Sequence, residues 1–280
     1  EEIVGRLRRA SNDKLELVVS EQATNAPARR VALSRTAIQM PVTGMIEEWP
    51  QNIGYLKING IYADSGRSIV QQLVNWKTTN FFGAILDLRG ANGMDFESAA
   101  EIGSLFFERG VGLFEVRDAQ DGLLQAYKAQ AEIPLGLPLM VLINCETAGA
   151  AETLAALLQH GAGAMLIGEP TGGDNRLREA LPLQDGRMIY IATRRIRMNQ
   201  GGQYAPAGVR PDVLAAPAAV TAVVQENRAP ILEEQPDFFV SVSEQEKQDR
   251  ALFDRTKDDA ILRRAVDILL GLKALGIKIR

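Results

Sequence analysis

Residues 137–158, which read LPLMVLINCETAGAAETLAALL, constrain the fold of this chain more than any other stretch. The apolar run 139–143 is followed by a short turn of small and polar residues. Beyond the turn, apolar residues recur with helical spacing at Ala151, Leu154, Ala155 and Leu158. The pattern predicts a buried strand, a tight turn and the start of a helix. Because the first N–H groups of a helix lack partners and the local dipole is positive, such a turn can hold an oxyanion or a peptide carbonyl.

The turn carries no serine. It reads Thr147-Ala-Gly-Ala-Ala-Glu152, whereas a hydrolase built on this plan places its nucleophilic hydroxyl on the turn. No Lys or His lies near Thr147 in sequence to activate its hydroxyl, so we interpret Thr147 as a cap of the following helix. Glu152, at the third helical position, is interpreted as a partner of the helix dipole and cap.

The composition is that of an ordinary globular protein and excludes several classes of function. The 280 residues are 46% hydrophobic and 24% charged, which suits one large or two modest domains. A net charge of -4 and a pI near 5.3 argue against a nucleic-acid partner. No apolar run approaches the roughly 18 residues of a spanning helix. The chain opens on EEIVGRLRR, without an initiator methionine or a signal peptide, so we expect a piece of a longer protein.

A single cysteine, Cys145, and a single histidine, His160, limit the chemistry further. One cysteine excludes an internal disulfide, and one histidine makes a His-based metal site or triad hard to build. A dyad of the two is disfavoured, because the predicted helix carries His160 on the order of 12 Å or more from its start. We therefore expect a buried, inert thiol. Glu169 and Asp174 in a Gly-rich loop are a weak metal signal, and we expect no metal and no cofactor.

Strands and helices alternate from residue 53 onward, which predicts an α/β fold. Strands are predicted at 53–59, 84–88, 139–143 and 164–168, with helices at 64–77 and 96–109. Uninterrupted apolar strands favour a parallel sheet covered on both faces. Hairpins are predicted at 112–129, with a turn at 118–122, and at 179–196, with a turn at 184–186. Helix 64–77 is predicted to begin on a capping Asp64 and to bury Ile69, Val70, Leu73 and Val74.

The two ends of the chain are less regular. Residues 1–40 predict a helix at 1–9 and strands at 14–20 and 30–35, which together have too little apolar surface to be stable alone. A helix is predicted at 217–227. Residues 228–248 are polar, acidic and interrupted by proline, which indicates an exposed linker or a lid. The last predicted helix, 258–275, has an apolar face to pack on the core.

Several motifs, taken in order, resemble those of the tail-specific, or carboxyl-terminal processing, serine peptidases over nearly the whole chain. The segment Asp87-Leu-Arg-Gly-Ala-Asn-Gly-Met94 corresponds to DLRxNPGG of that family. Residues 147–152 correspond to TASASE, 168–174 to GExTxGK and 208–212 to GIxPD. The resemblance implies a ClpP/crotonase-like, βα-layered core with a mixed sheet at 41–227. It also implies that residues 1–40 are the C-terminal half of a PDZ-like domain and that 228–280 are a linker and a helix on the core.

Two departures from the family pattern decide the expected function. In the family, the middle serine of TASASE attacks the peptide carbonyl, and the lysine of GExTxGK takes its proton. Here Gly149 stands at the nucleophile position and Asp174 at the lysine position. Because such a pair acts as a unit, losing both members predicts no covalent proteolysis.

The surroundings of these two positions also differ from the family. The resemblance places the peptide- or oxyanion-binding region at Gly90, Gly93, Met94, Gly149 and Ala150. Met94 replaces a glycine. This predicts either that the backbone leaves its positive-φ conformation or that the methionine side chain fills the cleft implied by the resemblance. Asn175 likewise replaces a glycine, and Arg178 a glutamine.

The remaining charged residues of the motifs have structural interpretations. Asp87 and Arg89, at a strand end, are expected to pair locally and to fix the turn 90–94. Arg194, Arg195 and Arg197 alternate faces of a strand and are not expected to form a single basic patch.

Three hypotheses of function follow. The first is a catalytically inactive homologue that binds a peptide or the C-terminal tail of a protein, or that is a scaffold for an active peptidase or an envelope protein. This hypothesis includes a homo-oligomer. The second is a crotonase-like enzyme with relocated chemistry, in which backbone N–H groups stabilise an enolate. The third is an active serine-type peptidase with non-standard catalytic residues. The resemblance implies a periplasmic or cell-envelope location.

Overall fold

The structure, a computed structural model, describes residues 14–19, 29–34, 43–161, 163–184, 187–199, 203–216 and 244–276. The strands are β1 (Lys14–Val19), β2 (Arg29–Ser34), β3 (Thr43–Trp49), β4 (Ile53–Ile58), β5 (Gly60–Ile61), β6 (Gly83–Asp87), β7 (Asn92–Gly93), β8 (Gly112–Asp118), β9 (Leu123–Lys128), β10 (Leu139–Ile143), β11 (Met165–Gly168), β12 (Arg176–Pro182), β13 (Met188–Met198) and β14 (Val213–Leu214). The helices are α1 (Ser65–Thr78), α2 (Phe96–Ser104), α3 (Ala150–Gly161), α4 (Glu244–Thr256) and α5 (Ala260–Ala274).

The chain divides into two compact units, Glu1–Pro41 and Val42–Arg280. In the first, β1 and β2 form an antiparallel pair in which Leu17 and Val31 are register partners. The predicted strands 14–20 and 30–35 agree with β1 and β2 to within one residue. The predicted helix 1–9 lies outside the described residues, and the assignment of this unit to a PDZ-like domain stays a prediction.

A six-stranded sheet in the order β14-β11-β10-β6-β4-β3 is the centre of the second unit. All neighbouring pairs are parallel except β3 with β4, so the sheet is mixed, and the predicted α/β fold is confirmed. Strand β10 is buried along its whole length because its residues alternate between two cores. Leu139, Val141 and Ile143 pack on the side of α1, α2 and α3, and Met140 and Leu142 on the side of α5.

A second sheet, in the order β12-β13-β8-β9, is antiparallel throughout. Both predicted hairpins belong to it. The turn 118–122 is confirmed: Asp118 accepts hydrogen bonds from the N–H groups of Gln120 and Gly122. The turn predicted at 184–186 falls partly outside the described residues. A bulge between Leu177 and Arg178 shifts the register of the β12–β13 pair.

Helix α1 departs from its prediction in two respects. Asp64 precedes the helix, but it adopts a left-handed conformation (φ 64°) and makes no side-chain cap bond. Of the four residues predicted to be buried, Ile69 and Leu73 are, whereas Val74 is exposed and Trp76 takes its place in the core. Helix α2 ends at Ser104, five residues before its predicted end.

The last five residues of the predicted linker or lid, 228–248, are helical, which the sequence analysis did not predict; the role of the segment stays a prediction. Residues 244–248 belong to α4, which continues to Thr256 and buries Leu252. Residues 228–243 and the predicted helix 217–227 lie outside the described residues. The last helix is confirmed, with Asp259 as its N-cap accepting from the Leu262 N–H at 3.0 Å. Each helix in the described part of the chain is too short or too polar to cross a membrane.

Candidate functional site

The turn between β10 and α3 lies directly against the turn that follows β6. Gly90 N–H donates to the Asn144 side-chain oxygen at 2.8 Å, and Ala148 N–H donates to the Ala91 carbonyl at 3.0 Å. Strand β7, with Gly93, pairs with β5 in the same region. The structure therefore brings Gly90, Gly93, Gly149 and Ala150 together, although they come from segments more than 50 residues apart in sequence.

Gly149 occupies a position that does not accommodate a side chain in this conformation. Its φ is +62°, and a Cβ atom added there would lie 2.4 Å from the carbonyl oxygen of Gly93. Real Cβ atoms do not approach backbone oxygen so closely, so a residue other than glycine requires the turn at Gly93 to move. The group that faces position 149 is thus a hydrogen-bond acceptor. An oxyanion requires donors at such a place.

Met94 neither adopts positive φ nor lies buried, since 54% of its surface is exposed. The positive φ that the family pattern suggested for this turn occurs at Gly90 and Gly93 instead. The conformation of Met94 agrees with the first predicted alternative, a backbone without positive φ, and the second alternative, a cleft filled by its side chain, stays a prediction.

Thr147 is fully buried, but it does not cap α3 as predicted. Its hydroxyl accepts from the Asn144 N–H at 3.1 Å and donates to the Leu88 carbonyl at 2.9 Å. These bonds tie the end of β10 to the end of β6. Among the described residues its partners are Asn144 and Leu88, and neither is a base that could activate the hydroxyl.

Glu152 anchors the loop 169–174 to the first turn of α3. Its side chain is fully buried and accepts from the Thr171 hydroxyl, from Gly173 N–H at 2.6 Å and from Asp174 N–H at 3.0 Å. The sequence analysis predicted an interaction of Glu152 with the helix dipole and cap. It did not identify these three partners, which lie 19 to 22 residues further along the chain. A buried carboxylate is tolerated here because donors surround it.

Asp174 is held by two arginines of β12. Its carboxylate accepts from Arg176 Nε at 2.9 Å and from Arg178 at 2.6 Å. Partial burial acts to raise the pKa of Asp174, but the hydrogen bonds and charges of the two arginines outweigh it and hold the pKa below the ordinary value. The side chain is 28% exposed.

Asp87 and Arg89 form a buried ion pair, as the sequence predicted. Arg89 binds both carboxylate oxygens of Asp87, at 2.9 and 2.6 Å. Burial alone would raise the pKa of Asp87, but the hydrogen bonds and charge of Arg89, together with Lys57, lower it. Arg89 also reaches Asp259, the N-cap of α5, at 2.8 Å. The pair therefore links the turn 90–94 to the C-terminal helix.

Three neighbours of this region escaped the sequence analysis. Lys57 donates to Asp87 at 3.2 Å, and Tyr55 donates to the same carboxylate at 3.0 Å. The signal for Lys57 was a lysine inside an otherwise apolar strand. The buried Tyr204 shares a 2.9 Å hydrogen bond with the Thr153 hydroxyl on α3, and no local pattern pointed to it.

Cys145 is exposed, so the prediction of a buried thiol is wrong. The residue follows the end of β10 on the outward side of the turn. His160 lies in the last turn of α3, a helix of 12 residues. Such a helix is about 18 Å long, which keeps Cys145 and His160 near its opposite ends.

Arg195 and Arg197 share one face of β13, and Arg194 lies on the other. Arg195 and Arg197 both pair with Asp121, at 2.8 and 3.7 Å, whereas Arg194 pairs with Glu179 at 3.0 Å. Within the described residues, no group of three or more His, Cys, Asp or Glu side chains could hold a metal ion. Glu169 and Asp174 accordingly do not extend into a larger acidic cluster there.

The sequence profile of peptidase family S41 matches residues 52–215. This range includes β4 to β14, and it includes the turns 90–94 and 147–152 with the loop 169–174, which we call the cleft. The chain belongs to peptidase family S41. The resemblance to the tail-specific peptidases is thereby confirmed, whereas the assignment of residues 87–94, 147–152 and 168–174 to the motifs of the family stays a prediction.

Curated S41 relatives include carboxyl-terminal processing proteases. The one from Synechocystis sp. is 27% identical over 215 residues, which is 76% of this chain and 50% of that protein. Carboxy-terminal processing protease CtpA from Bacillus subtilis is 27% identical over 76% of this chain and 45% of its own length. The chain thus spans about half the length of the curated relatives it matches.

Solved structures confirm the S41 fold. The match to an S41 protease from Bacteroides fragilis covers 92% of this chain and 67% of that protein, with a TM-score of 0.59 and 18% identity. The photosystem II D1 C-terminal processing protease gives a TM-score of 0.55 at 23% identity, over 73% of this chain and 56% of its own.

Proposed function

We propose that this chain is a catalytically inactive S41 homologue that binds a peptide or the C-terminal tail of a protein without cleaving it. One observation carries the proposal: the position that the motif assigns to the nucleophile is Gly149, and the Gly93 carbonyl oxygen lies where a side chain would begin. Neither an attacking atom nor the space for one is present in that conformation.

The second assigned catalytic position supports the same conclusion. A general base works best when its pKa lies near the working pH. Asp174 has a pKa below the ordinary value for an aspartate because Arg176 and Arg178 bind it, so it is a weak proton acceptor at neutral pH. It also carries the opposite charge to the lysine of the family pattern.

Peptide binding requires none of the altered side chains. Sheet edges and turns bind an extended peptide mainly through main-chain hydrogen bonds, with pockets for alternate side chains. The turns at 90–94 and 147–152 are held by hydrogen bonds that involve Asn144, Thr147 and Leu88. A cleft built this way keeps its shape whether or not it performs chemistry.

The names of the relatives suggest the class of ligand. They are carboxyl-terminal processing proteases, so we propose that this chain binds protein tails, either alone or as a scaffold for an active peptidase or an envelope protein. A periplasmic or cell-envelope location is proposed on the same resemblance.

The proposal is tested by measuring binding and turnover on the same sample. Fluorescent, unstructured peptides with free C-termini are incubated with the protein, binding is followed by anisotropy, and the peptide mass is followed over time. A fluorophosphonate probe reports any activated hydroxyl. We expect binding with an unchanged peptide mass and no labelling.

Cleavage or fluorophosphonate labelling would overturn the proposal. The exposed Cys145 supplies a matched control, because a Cys145→Ser variant should behave as the wild type in every assay. Turnover that this variant abolishes would identify a thiol peptidase with relocated chemistry.

A further inference from the structure

Three arginines lie in one row across three neighbouring strands on the outer face of the second sheet. Arg195 of β13 is directly opposite Arg176 of β12 on one side and Arg117 of β8 on the other. Directly opposed side chains in an antiparallel pair have Cβ atoms about 4.5–5.5 Å apart, and like charges at such positions are destabilising. Without compensating charges, repulsion among these three arginines therefore destabilises the folded sheet.

Two more arginines extend the row. Arg197 follows Arg195 on the same face of β13, and Arg178 follows Arg176 on the same face of β12. The intervening residues Leu177 and Ile196 are buried, which shows that the arginines point outward. We call these five residues, Arg117, Arg176, Arg178, Arg195 and Arg197, the arginine face.

Carboxylates on the arginine face only partly offset its charge. Asp121 pairs with Arg195 at 2.8 Å and lies 3.7 Å from both Arg117 and Arg197. Glu115 pairs with Arg117, and Asp174 pairs with Arg176 and Arg178. In the described part of the chain, five guanidinium groups thus share three carboxylate partners. The chain as a whole carries a net charge of -4, so this positive excess is local.

The arginine face is accessible and starts at the cleft. The side chains of Arg176, Arg195 and Arg197 are 60%, 49% and 53% exposed. Asp174, at one end of the face, belongs to the loop that Glu152 anchors to α3. Guanidinium groups in this setting can each bind a carboxylate in bidentate fashion.

We propose that the arginine face binds an acidic, extended segment of a protein whose tail occupies the cleft. The inference rests on the proposed peptide-binding function and adds the charge of the ligand to it. A protein segment is favoured over nucleic acid because the net charge of -4 repels a long polyanion, whereas a short acidic segment meets only the local excess of positive charge. Tyr190, which is exposed on the same face, offers an apolar contact to such a segment.

The test compares three labelled peptides of one length and one tail sequence: a Glu-rich, a Gln-rich and a Lys-rich version. We expect the Glu-rich peptide to bind most tightly and to lose affinity as salt is raised. Arg176→Gln and Arg195→Gln should each weaken its binding about two- to fivefold, with little change for the Gln-rich peptide. Arg109→Gln is the matched control, because Arg109 is exposed, paired with Glu132 and not part of the arginine face.

Thermal unfolding separates ligand binding from a structural role. If the row serves a ligand, Arg195→Gln should leave Tm within about 2 °C of the wild type or raise it, because it relieves repulsion while Asp121 keeps two other arginines. Loss of Tm with unchanged peptide affinity would overturn the inference.

The remaining outcomes are also decisive. Equal binding of the Glu-rich and Gln-rich peptides overturns the inference but leaves the proposed function intact. Cleavage of the bound Glu-rich peptide overturns the proposed function and leaves the arginine face standing. A single-stranded oligonucleotide that binds more tightly than the Glu-rich peptide overturns the choice of a protein ligand.

Discussion

The cleft contains two groups of positions that differ in how they are held. The first group, Asp87, Thr147 and Glu152, is buried, and each side chain has several hydrogen-bond partners. The second group, Gly149 and Asp174, consists of the two residues that the sequence analysis predicts to stand at the catalytic positions of the family. Gly149 has no side chain, and Asp174 is partly exposed and paired with arginines on the surface of β12.

The contrast shows that the architecture of this cleft does not depend on its chemistry. The side chains of the buried group tie β6, β10 and the loop 169–174 to their neighbours through several hydrogen bonds. The side chain of Asp174 makes no such connection and can be replaced with little effect on the fold, whereas Gly149 is constrained by its backbone conformation and by the nearby Gly93 carbonyl. Substitutions in the two groups should therefore differ in their effect on stability.

The largest effect is expected for Asp87→Asn. The change removes the buried carboxylate that pairs with Lys57 and leaves Arg89 with the partly exposed Asp259 alone, so the free energy of unfolding should fall by about 3–5 kcal/mol. Denaturant unfolding followed by circular dichroism measures it. A loss below about 1 kcal/mol would show that Asp87 contributes as little to stability as a surface ion pair, and it would contradict the distinction between the two groups.

The pH dependence of the unfolding free energy tests whether the effect of Asp87→Asn is ionic. Because the pKa of Asp87 is lowered in the folded state, its stabilisation is present above the ordinary aspartate pKa of about 3.9 and is lost as the pH falls through the lowered value. The difference in unfolding free energy between wild type and Asp87→Asn should therefore narrow below about pH 4. A constant difference would contradict the ionic explanation.

The second largest effect is expected when a serine side chain is introduced at position 149. Gly149→Ser places a Cβ atom against the Gly93 carbonyl and a non-glycine residue at positive φ, so stability should fall by about 2–4 kcal/mol. The double variant Gly149→Ser with Asp174→Lys should remain unreactive to a fluorophosphonate probe, because the Gly93 carbonyl, an acceptor, lies against position 149, where stabilisation of an oxyanion requires donors. Labelling of the double variant would show that the turn at Gly93 reopens.

A smaller loss is expected for Glu152→Gln. The amide keeps one acceptor oxygen, but its NH2 group faces a backbone donor, so one of the N–H groups of Gly173 and Asp174 loses its bond. The expected loss is about 1–3 kcal/mol. Hydrogen exchange should localise the effect to 171–174, and Glu146→Gln, on the exposed side of the same turn, is the matched control.

The smallest effect is expected for Asp174→Asn. Its partners Arg176 and Arg178 are at the surface and remain solvated, so unfolding free energy should change by less than about 1 kcal/mol. A loss as large as that of Asp87→Asn would remove the distinction between the two groups.

The sequence predicted the elements whose signals are local. The apolar run 139–143 gave β10 with its correct bounds, because a strand buried on both faces needs apolar residues at each position. Helix α4 was missed because its sequence is largely charged and Leu252 is its main buried apolar residue. In α1, Trp76 rather than Val74 faces the core, and its spacing from Ile69 and Leu73 is helical, a signal that the sequence analysis did not use.

The contacts of the cleft could not be predicted, because they join distant segments. Gly149 meets Gly93, Glu152 meets residues of the loop 171–174, and Arg89 meets Asp259. Motif order identified which residues belong to the cleft. Whether each is buried, strained or paired depends on tertiary structure, and for Thr147 and Cys145 the local interpretation was wrong.

Mass spectrometry of an unstructured protein incubated with this chain tests the central claim most directly. The account predicts that the substrate keeps its full mass at every time point and at every concentration of the chain, while it binds in a parallel anisotropy measurement. Shortened fragments that lack the C-terminus and accumulate in proportion to the concentration of the chain would contradict it.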